Sequence, residues 1–256
     1  MPLKIYDDYI TRVGTGHWLQ QPIYDEVNAN TTALFATNLK NWQKMGFTKV
    51  LPSPLPSGVT AYLVTRLFVT STNIDVSMLF GKLVDMGSLD ISSNVFTDGS
   101  AMPTVTALGS SRVLASPIFV EVTTGLNATP GSLSVTYIDQ DGNTAEATTA
   151  QAMGASSVAK SAGVAILNST DWGARDVTTA ARTAGTTPTG VVKFWGVIPL
   201  GLFIMTPQVD GISFVVDLTN NKCNQFRFGA GDTLGGFVLG TIAKSVLGSI
   251  YIVGDN

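Results

Sequence analysis

Charge, cysteine and histidine are all scarce in this sequence. Charged residues make up 13% of the chain, about half of the ~25% usual for soluble domains, and the net charge is −3. No cluster of Lys or Arg is present to neutralise phosphates, so nucleic acid is not expected as a partner. The single cysteine, Cys223, excludes an intrachain disulfide framework and lies in no thiol-chemistry motif.

Long apolar runs are absent as well. The most apolar stretch, residues 194–205, is interrupted by Pro199 and is shorter than the ~20 residues that a transmembrane helix needs. The first residues of the chain lack the apolar core of a signal peptide. We therefore expect no membrane partner, and we expect the protein to be made in a cytoplasm that it leaves only inside a particle.

The low charge also bears on the surface of the protein. A surface with few charges repels other proteins weakly, which favours a surface that is partly covered by neighbouring subunits. The alternative is a β protein kept soluble by its many Ser and Thr hydroxyls. Both interpretations stay open at this point.

The clearest local pattern is a β-hairpin within residues 112–151. Three extended segments are predicted there, at 112–124, 132–139 and 144–151, and Asp141-Gly142 lies between the last two. An Asp-Gly pair between alternating segments is a strong hairpin signal. In the middle segment Leu133, Val135 and Tyr137 share one face, as in a half-buried strand.

The same β pattern continues through most of the chain. Residues 52–58 hold three prolines and predict a stiff linker between an N-terminal arm, 1–51, and a β domain, 59–256. Turn residues separate short strands, which are predicted at 59–69, 76–84, 113–123, 133–138, 163–167, 177–182, 191–198, 212–218, 225–228, 236–242 and 249–253. The predicted fold class is therefore all-β, an antiparallel, jelly-roll-like β-sandwich.

The N-terminal arm is predicted to be partly helical or irregular. Residues 6–13 read as one short helix that stops at Gly14, and residues 25–45 carry apolar side chains at roughly helical spacing. Its aromatic residues Trp18, Phe35 and Trp42 have to pack either on their own domain or on a neighbour.

Two glycine- or aspartate-rich segments imitate known ligand-binding loops. Asp139, Asp141 and Asn143 resemble the start of a calcium loop, but the Gly and Glu required later are replaced by Thr144 and Ala150. A hairpin turn explains the same residues, so no metal site is predicted. A Gly-x-Gly pair at 229 and 231 precedes a strand instead of a helix, which indicates a turn and no cofactor site.

Nothing in the sequence indicates catalysis. His17 is the only histidine, and no nucleophile motif lies near it. Scattered carboxylates could converge in space as an acid and base pair, namely Asp75, Asp85, Asp90 and Glu121. Such acids are more often solvated or tied to turns, so the protein is not expected to be an enzyme.

Four segments resemble β-rich, capsid-associated virion proteins of tailed bacteriophages, a decoration or cement-like group. They are residues 78–86, 133–142, 167–177 and 191–199, and the resemblance covers roughly residues 75–200. The Trp at 172 and the closing residues 212–256 depart from the family pattern. Because the shared motifs are structural, the resemblance implies a fold and a place in a virion.

The resemblance implies a head decoration or cement protein that bridges capsomers. Its expected partners are the major capsid protein and further copies of itself in a homo-oligomer, in a virion assembled in the bacterial cytoplasm. A neck or tail component is one alternative. A jelly roll that binds host carbohydrate is another, with Trp172 beside Asp171, or Trp195, as the aromatic platform.

Overall fold

The computed structural model describes residues 9–13, 16–27, 34–35, 42–51, 53–55, 61–71, 76–107, 110–205, 213–217, 227–239 and 244–255. In these ranges the structure has no helix, and therefore no helix that could cross a membrane. The strands, in chain order, are β1 (Tyr9–Val13), β2 (Gly16–Val27), β3 (Trp42–Val50), β4 (Ala61–Ser71), β5 (Val76–Asp90), β6 (Val95–Asp98), β7 (Thr104–Ala107), β8 (Ser110–Val113), β9 (Phe119–Thr124), β10 (Ser132–Asp139), β11 (Glu146–Ala147), β12 (Gln151–Ala152), β13 (Ser161–Val164), β14 (Ala174–Thr183), β15 (Val191–Met205), β16 (Ser213–Asp217), β17 (Arg227–Phe228), β18 (Thr233–Leu239) and β19 (Lys244–Asp255).

The predicted all-β, antiparallel fold is confirmed. Every strand predicted after the proline-rich segment overlaps an observed strand, and all the strand pairs described are antiparallel. Strands of the N-terminal segment and short strands such as β6 and β7 were not predicted. In β10 the alternating pattern corresponds to alternating buried and half-buried side chains, as expected for a strand with one buried face.

Six strands close into a ring. In order around it, β3 pairs with β18, β18 with β5, β5 with β15, β15 with β9, β9 with β13, and β13 with β3. β6 pairs with the far end of β5. Closure gives each of these six strands a partner on both sides over at least part of its length, which limits edge-to-edge pairing with other chains.

Part of the inside of the ring is apolar. One hydrophobic cluster draws side chains from all six strands of the ring: Leu83, Phe119, Ala162, Trp195, Val197 and Phe237, with Trp42, Leu79 and Val164 packed against them. The rings of Phe119 and Phe237 are stacked with their centroids 4.4 Å apart. Since every strand contributes to one cluster, this face is the interior of the ring.

The outer face of the ring packs against a second sheet. β10 pairs with β14 on one side and with the short strands β11 and β12 on the other. On β9, Phe119 belongs to the ring interior, while Val120 and Val122 belong to the cluster that also holds Tyr137 of β10 and Val177 of β14. The period-2 alternation of β9 therefore feeds two cores, and the result is the predicted jelly-roll-like sandwich.

Long strands in the ring bend at irregular positions. β15 carries Pro199, which cannot donate to a ladder, and the register with β5 shifts between Pro199 and Gly201. At this place β5 has Gly81, and a Cβ built there would overlap the carbonyl oxygen of Ile198. The close approach of the two backbones therefore requires glycine at position 81.

A further sheet contains β1, β2, β19, β4 and β16 in that order, with β17 also paired to β4. Its three longest strands, β2, β4 and β19, pair over most of their lengths. The first and last strands of the chain thus lie in one sheet. β7 and β8 form a separate two-stranded hairpin.

The predicted helices of the N-terminal segment are wrong wherever the structure describes that segment. Residues 9–13 are β1, which pairs with β2, and both ends of the segment 25–45, which was predicted to be helical or irregular, lie in strands β2 and β3. Apolar residues at spacings of three and four also fit the two faces of a strand that is buried on both sides, and pairing with distant strands decides between the two. Phe35 is fully buried in the sandwich core, so it packs on its own chain.

β3 precedes the proline-rich segment at 52–58 in the sequence, whereas its two partners in the ring, β13 and β18, follow that segment. Sheet partners lying far apart along the chain leave no local trace in the sequence.

Candidate functional site

Of the four carboxylates considered for catalysis, the structure describes three, and each of these has a different set of contacts. Asp75 lies outside the described residues. Asp90 accepts hydrogen bonds from the hydroxyl of Ser92 and from backbone N–H groups in the turn after β5, and these bonds lower its pKa to about 2. Asp90 therefore stabilises a turn.

Asp85 and Glu121 each contact a different side chain of β15. Asp85 forms an ion pair with Lys193, at 2.7 Å, and accepts the backbone N–H of Gly87. Glu121 accepts a 2.7 Å hydrogen bond from the indole N–H of Trp195. An acid and base pair needs two carboxyl groups free to exchange protons, and this arrangement supplies ion pairing and hydrogen bonding instead.

The charges around Trp195 form a layer at one part of the ring interior. The Nζ atoms of Lys193 and Lys44 lie 4.5 Å and 5.3 Å from the centroid of the Trp195 ring, within the range of cation–π attraction. Burial raises the pKa of Glu121, while Lys44, the Trp195 hydrogen bond and Lys193 act in the opposite direction. These contacts fix Trp195 in the core, so it is not an exposed aromatic platform.

The calcium-like segment is a hairpin turn held by its own first aspartate. Oδ1 of Asp139 accepts the backbone N–H groups of Asp141, Gly142 and Asn143 at 2.7–2.8 Å, and Oδ2 accepts the side-chain amide of Asn143 at 2.7 Å. Burial opposes ionisation of Asp139, but these hydrogen bonds outweigh it and lower its pKa. The carboxylate is therefore engaged by backbone donors of the turn.

Gly229 and Gly231 lie in a turn that leads into β18, and Asp232 accepts the N–H of Gly229 at 2.7 Å, as the sequence indicated. His17 lies in β2, where side chains are not described, and Cys223 lies outside the described residues. Within the described part of the chain, no three His, Cys, Asp or Glu side chains lie close enough to hold a metal ion.

Trp172 is a large aromatic side chain that is exposed to solvent. Trp172 is 56% exposed, and it is the only exposed aromatic residue between residues 78 and 200. It lies in the connection between β13 and β14, in residues 168–173, which we call the Trp172 loop. A large exposed indole on a protein of this kind marks a candidate contact site, because tryptophan is enriched at the centres of protein interfaces.

The Trp172 loop is tied to the hairpin turn by the side chain of Gln140. Its carbonyl oxygen accepts the N–H groups of Trp172 and Gly173, at 3.2 Å and 3.4 Å. The guanidinium of Arg175 donates two hydrogen bonds to the backbone oxygen of Gln140, at 3.0 Å and 2.6 Å. Both loops are thus held as one unit, through residues that are more than 30 positions apart.

Tyr137 fixes the same loop through its hydroxyl group. Its ring is fully buried, and its hydroxyl donates to Asp171 at 2.6 Å while accepting the N–H of Asn168 at 2.9 Å. Burial, the hydrogen bond to Asp171 and the negative charges of Asp171 and Glu146 all disfavour the phenolate, and they raise the pKa of Tyr137 to about 12. The hydroxyl therefore stays protonated and keeps donating at neutral pH.

The carboxylate of Asp171 is used inside the loop. Oδ2 takes the Tyr137 hydroxyl, and Oδ1 accepts weaker hydrogen bonds from Gln140 and Thr170. A carbohydrate platform needs polar groups beside the aromatic ring that are free to bind sugar hydroxyls. Of the two tryptophans considered for such a site, Trp195 is buried and Trp172 has an aspartate neighbour that is already engaged.

Sequence reasoning identified Trp172 and the turn at 140–143, but it missed the residues that join them. Tyr137 was identified only as an apolar residue of a strand, and neither Gln140 nor Arg175 was singled out. The distances along the chain explain this, since Tyr137 and Gln140 lie 31 to 35 positions before their partners. A buried tyrosine in an apolar strand face does need a partner for its hydroxyl, and that was the one usable signal.

Neither a family model nor a curated protein matches this chain. The chain has low similarity to solved structures of viral capsid proteins. A VP2 mutant of infectious bursal disease virus has 9% identity and a TM-score of 0.17, over 92% of this chain and 77% of that one. The viral particle of the same virus gives 10% identity and a TM-score of 0.18, over 98% and 79%.

The VP1 protein of Trichodysplasia spinulosa-associated polyomavirus gives 11% identity and a TM-score of 0.11, over 95% of this chain and 98% of that one. TM-scores this low do not establish a shared fold.

Proposed function

We propose that this chain is a structural protein of a virion, and more specifically a head decoration or cement protein of a tailed bacteriophage. It acts by contact with the major capsid protein and with further copies of itself, and it catalyses no reaction. The resemblance of residues 75–200 to such proteins supports the phage context. The scarcity of charge supports a surface that other subunits cover.

The observation that carries the proposal is the exposed Trp172 on a loop that is hydrogen-bonded to Tyr137 and Gln140. Transfer of the apolar surface of an exposed indole from water into a contact with a partner is favourable. The polar side chains around it fix the loop. Of the carboxylates considered for catalysis, Asp90 stabilises a turn, Asp85 forms an ion pair and Glu121 accepts the indole N–H of Trp195. An exposed indole together with engaged carboxylates is expected of a protein that binds other proteins.

The mode of action follows from the repetition of contacts on a capsid. A bridging subunit that touches two capsomers adds buried area at each boundary, and the many copies act together. In the closed ring each strand has a partner on both sides over at least part of its length, which suits a protein exposed in many copies. Separation of capsomers under internal DNA pressure then requires loss of these contacts as well.

The test is the heat stability of particles that lack the protein. Phage is grown with the gene disrupted, and DNA release is followed by dye fluorescence during heating, with complemented phage as the control. We expect release at a lower temperature in the absence of the protein. Unchanged heat stability would contradict a cementing role.

Copy number separates the head from the neck or tail. A stained gel of purified particles gives the number of copies relative to the major capsid protein. Hundreds of copies per particle agree with decoration of the head. About six or twelve copies would instead indicate a ring in the neck or tail.

A further inference from the structure

We infer that the Trp172 loop docks onto a protein surface that has an apolar pocket with basic side chains at its rim. This inference rests on the proposed function, and there the surface belongs to a subunit of the shell. Trp172 fills the pocket, and the carboxylates next to the loop face the basic rim. The partner is defined by this chemistry.

The first step is the rigidity of the loop. The N–H groups of Trp172 and Gly173 are bonded to Gln140, and the next residue, Ala174, exchanges two backbone hydrogen bonds with Ser116. Gly173 is buried, and a Cβ there would come within 3.1 Å of the Ser116 nitrogen. A loop fixed before binding loses little conformational entropy when its indole becomes buried, so more of the contact free energy appears as affinity.

The second step is the charge around the indole. Among the charged groups that hydrogen-bond within or beside the two loops, Asp141 is exposed and Glu146 and Asp171 are half-buried, and they stand against the single guanidinium of Arg175. Asp139 is buried and engaged by its own turn, so it adds little to this acidic surface. Asp141 is exposed and bonds the side chain of Gln140, which in turn holds Trp172, and Glu146 bonds Asn168 at the start of the loop. A complementary surface therefore carries Lys or Arg around the pocket, which guides association and disfavours acidic surfaces.

The third step distinguishes a protein from a glycan as the occupant. Asp171 and Gln140 are the polar side chains nearest to Trp172 along the hydrogen-bond network, and both are engaged within the loops. Sugar recognition relies on such groups being available for hydroxyls. Burial of an indole in an apolar pocket needs none of them, because the driving force is the removal of apolar surface from water.

The experiment measures binding of the purified protein to particles from the phage with the disrupted gene. Labelled wild-type protein, Trp172→Ala and Trp172→Phe are titrated onto the particles, and bound protein is separated by sedimentation. We expect Trp172→Ala to bind about thirtyfold more weakly or worse, as for a hot-spot residue. Trp172→Phe retains part of the affinity.

A matched control is Val95→Ala, because Val95 is equally exposed, at 57%, but lies on β6 outside both loops. It is expected to bind like the wild type. Tyr137→Phe leaves the indole in place and removes the hydroxyl that fixes the loop, so it should weaken binding less than Trp172→Ala does. Higher NaCl should slow association of all variants by screening the acidic rim.

The outcomes are distinguishable. If the wild type does not bind the particles, the proposed function fails, and this inference fails with it. If the wild type binds and Trp172→Ala binds equally well, the docking role of Trp172 is overturned while the proposed function stands. Competition by host surface polysaccharide, or Trp172-dependent self-association without an effect on particle binding, would likewise overturn it.

Discussion

At the scale of single residues, Asp176 is, with Asn127, one of the two described side chains that have a buried oxygen without a hydrogen-bond partner. Its Oδ1 is buried and has no hydrogen-bond donor among the described residues. Burial raises the pKa of Asp176, a hydrogen bond from the Val177 backbone acts against this, and the nearby charge of Asp98 raises it further. The ionised carboxylate is thus less favourable in the folded protein than in the unfolded chain.

This situation predicts that Asp176→Asn stabilises the protein at pH 7. The folded pKa lies above the unfolded value, so the penalty is fully present above the folded pKa and disappears as pH falls below the unfolded value of about 3.9. The melting temperature of Asp176→Asn should therefore exceed that of the wild type at neutral pH, and the difference should shrink as the pH is lowered towards 4.

Two controls accompany that measurement. Asp98→Asn removes only the neighbouring charge and should give a smaller gain with the same pH trend. Asp141→Asn changes an exposed carboxylate and should leave the melting temperature nearly unchanged. A lower melting temperature for Asp176→Asn at pH 7 would show that the carboxylate has a favourable partner.

At the scale of strands, the pairing of β5 with β15 depends on glycine at position 81. A Cβ at Gly81 would overlap the carbonyl oxygen of Ile198, and its next nearest neighbours are also backbone atoms, which cannot rotate away as a side chain would. Gly81→Ala should therefore destabilise the protein by about 1–3 kcal/mol, as overpacking of a core does, in a denaturant unfolding experiment.

The matched control is Gly125→Ala. A Cβ at Gly125 would meet its nearest neighbour, the Ser157 carbonyl oxygen, at 3.6 Å, which is an ordinary contact. This substitution should be neutral or slightly stabilising, because alanine has less freedom in the unfolded chain. Equal stability of Gly81→Ala and Gly125→Ala would mean that β5 and β15 can move apart at no cost.

Strands also show which part of the structure is encoded locally. The Asp-Gly turn after β10 was predicted because all its determinants lie within a few residues, and the structure adds that Asp139 holds it. β1 and the first residues of β3, 42–45, lie in segments that were predicted to be helical or irregular, because the spacing of their apolar residues also fits a helix. The Trp172 loop depends on Tyr137 and Gln140, and this pairing exists only once β10 and β14 are aligned.

At the scale of the whole molecule, closure of the ring is the property that the sequence did not reveal. The alternating strands predicted an antiparallel sandwich, and the sandwich is present. Which strands join to close the ring depends on contacts between residues far apart in the chain, such as β3 with β13 and β18. Local patterns carry no information on such partners, whereas they do carry information on burial.

Ring closure leads to a prediction about truncation. Deletion of residues 1–51 removes β3, opens the ring between β13 and β18, and exposes interior side chains such as Phe119 and Phe237. We expect this variant to lose cooperative thermal unfolding and to bind a hydrophobic dye, since two bare strand edges and an apolar interior become accessible.

Deletion of residues 1–27 is the control, because it leaves the six ring strands intact. It removes β1 and β2, which pair with each other, and it also removes the pairing of β2 with β19. Near-UV circular dichroism reports the packing of ring aromatics such as Trp195 and should be retained in this variant. If deletion of residues 1–51 also leaves a cooperative transition and the same near-UV signal, the segment before the prolines is a separable arm, as the sequence predicts. Loss of both signals only in the longer deletion would show that β3 is part of the folding unit, because a ring that lacks one strand cannot bury its interior.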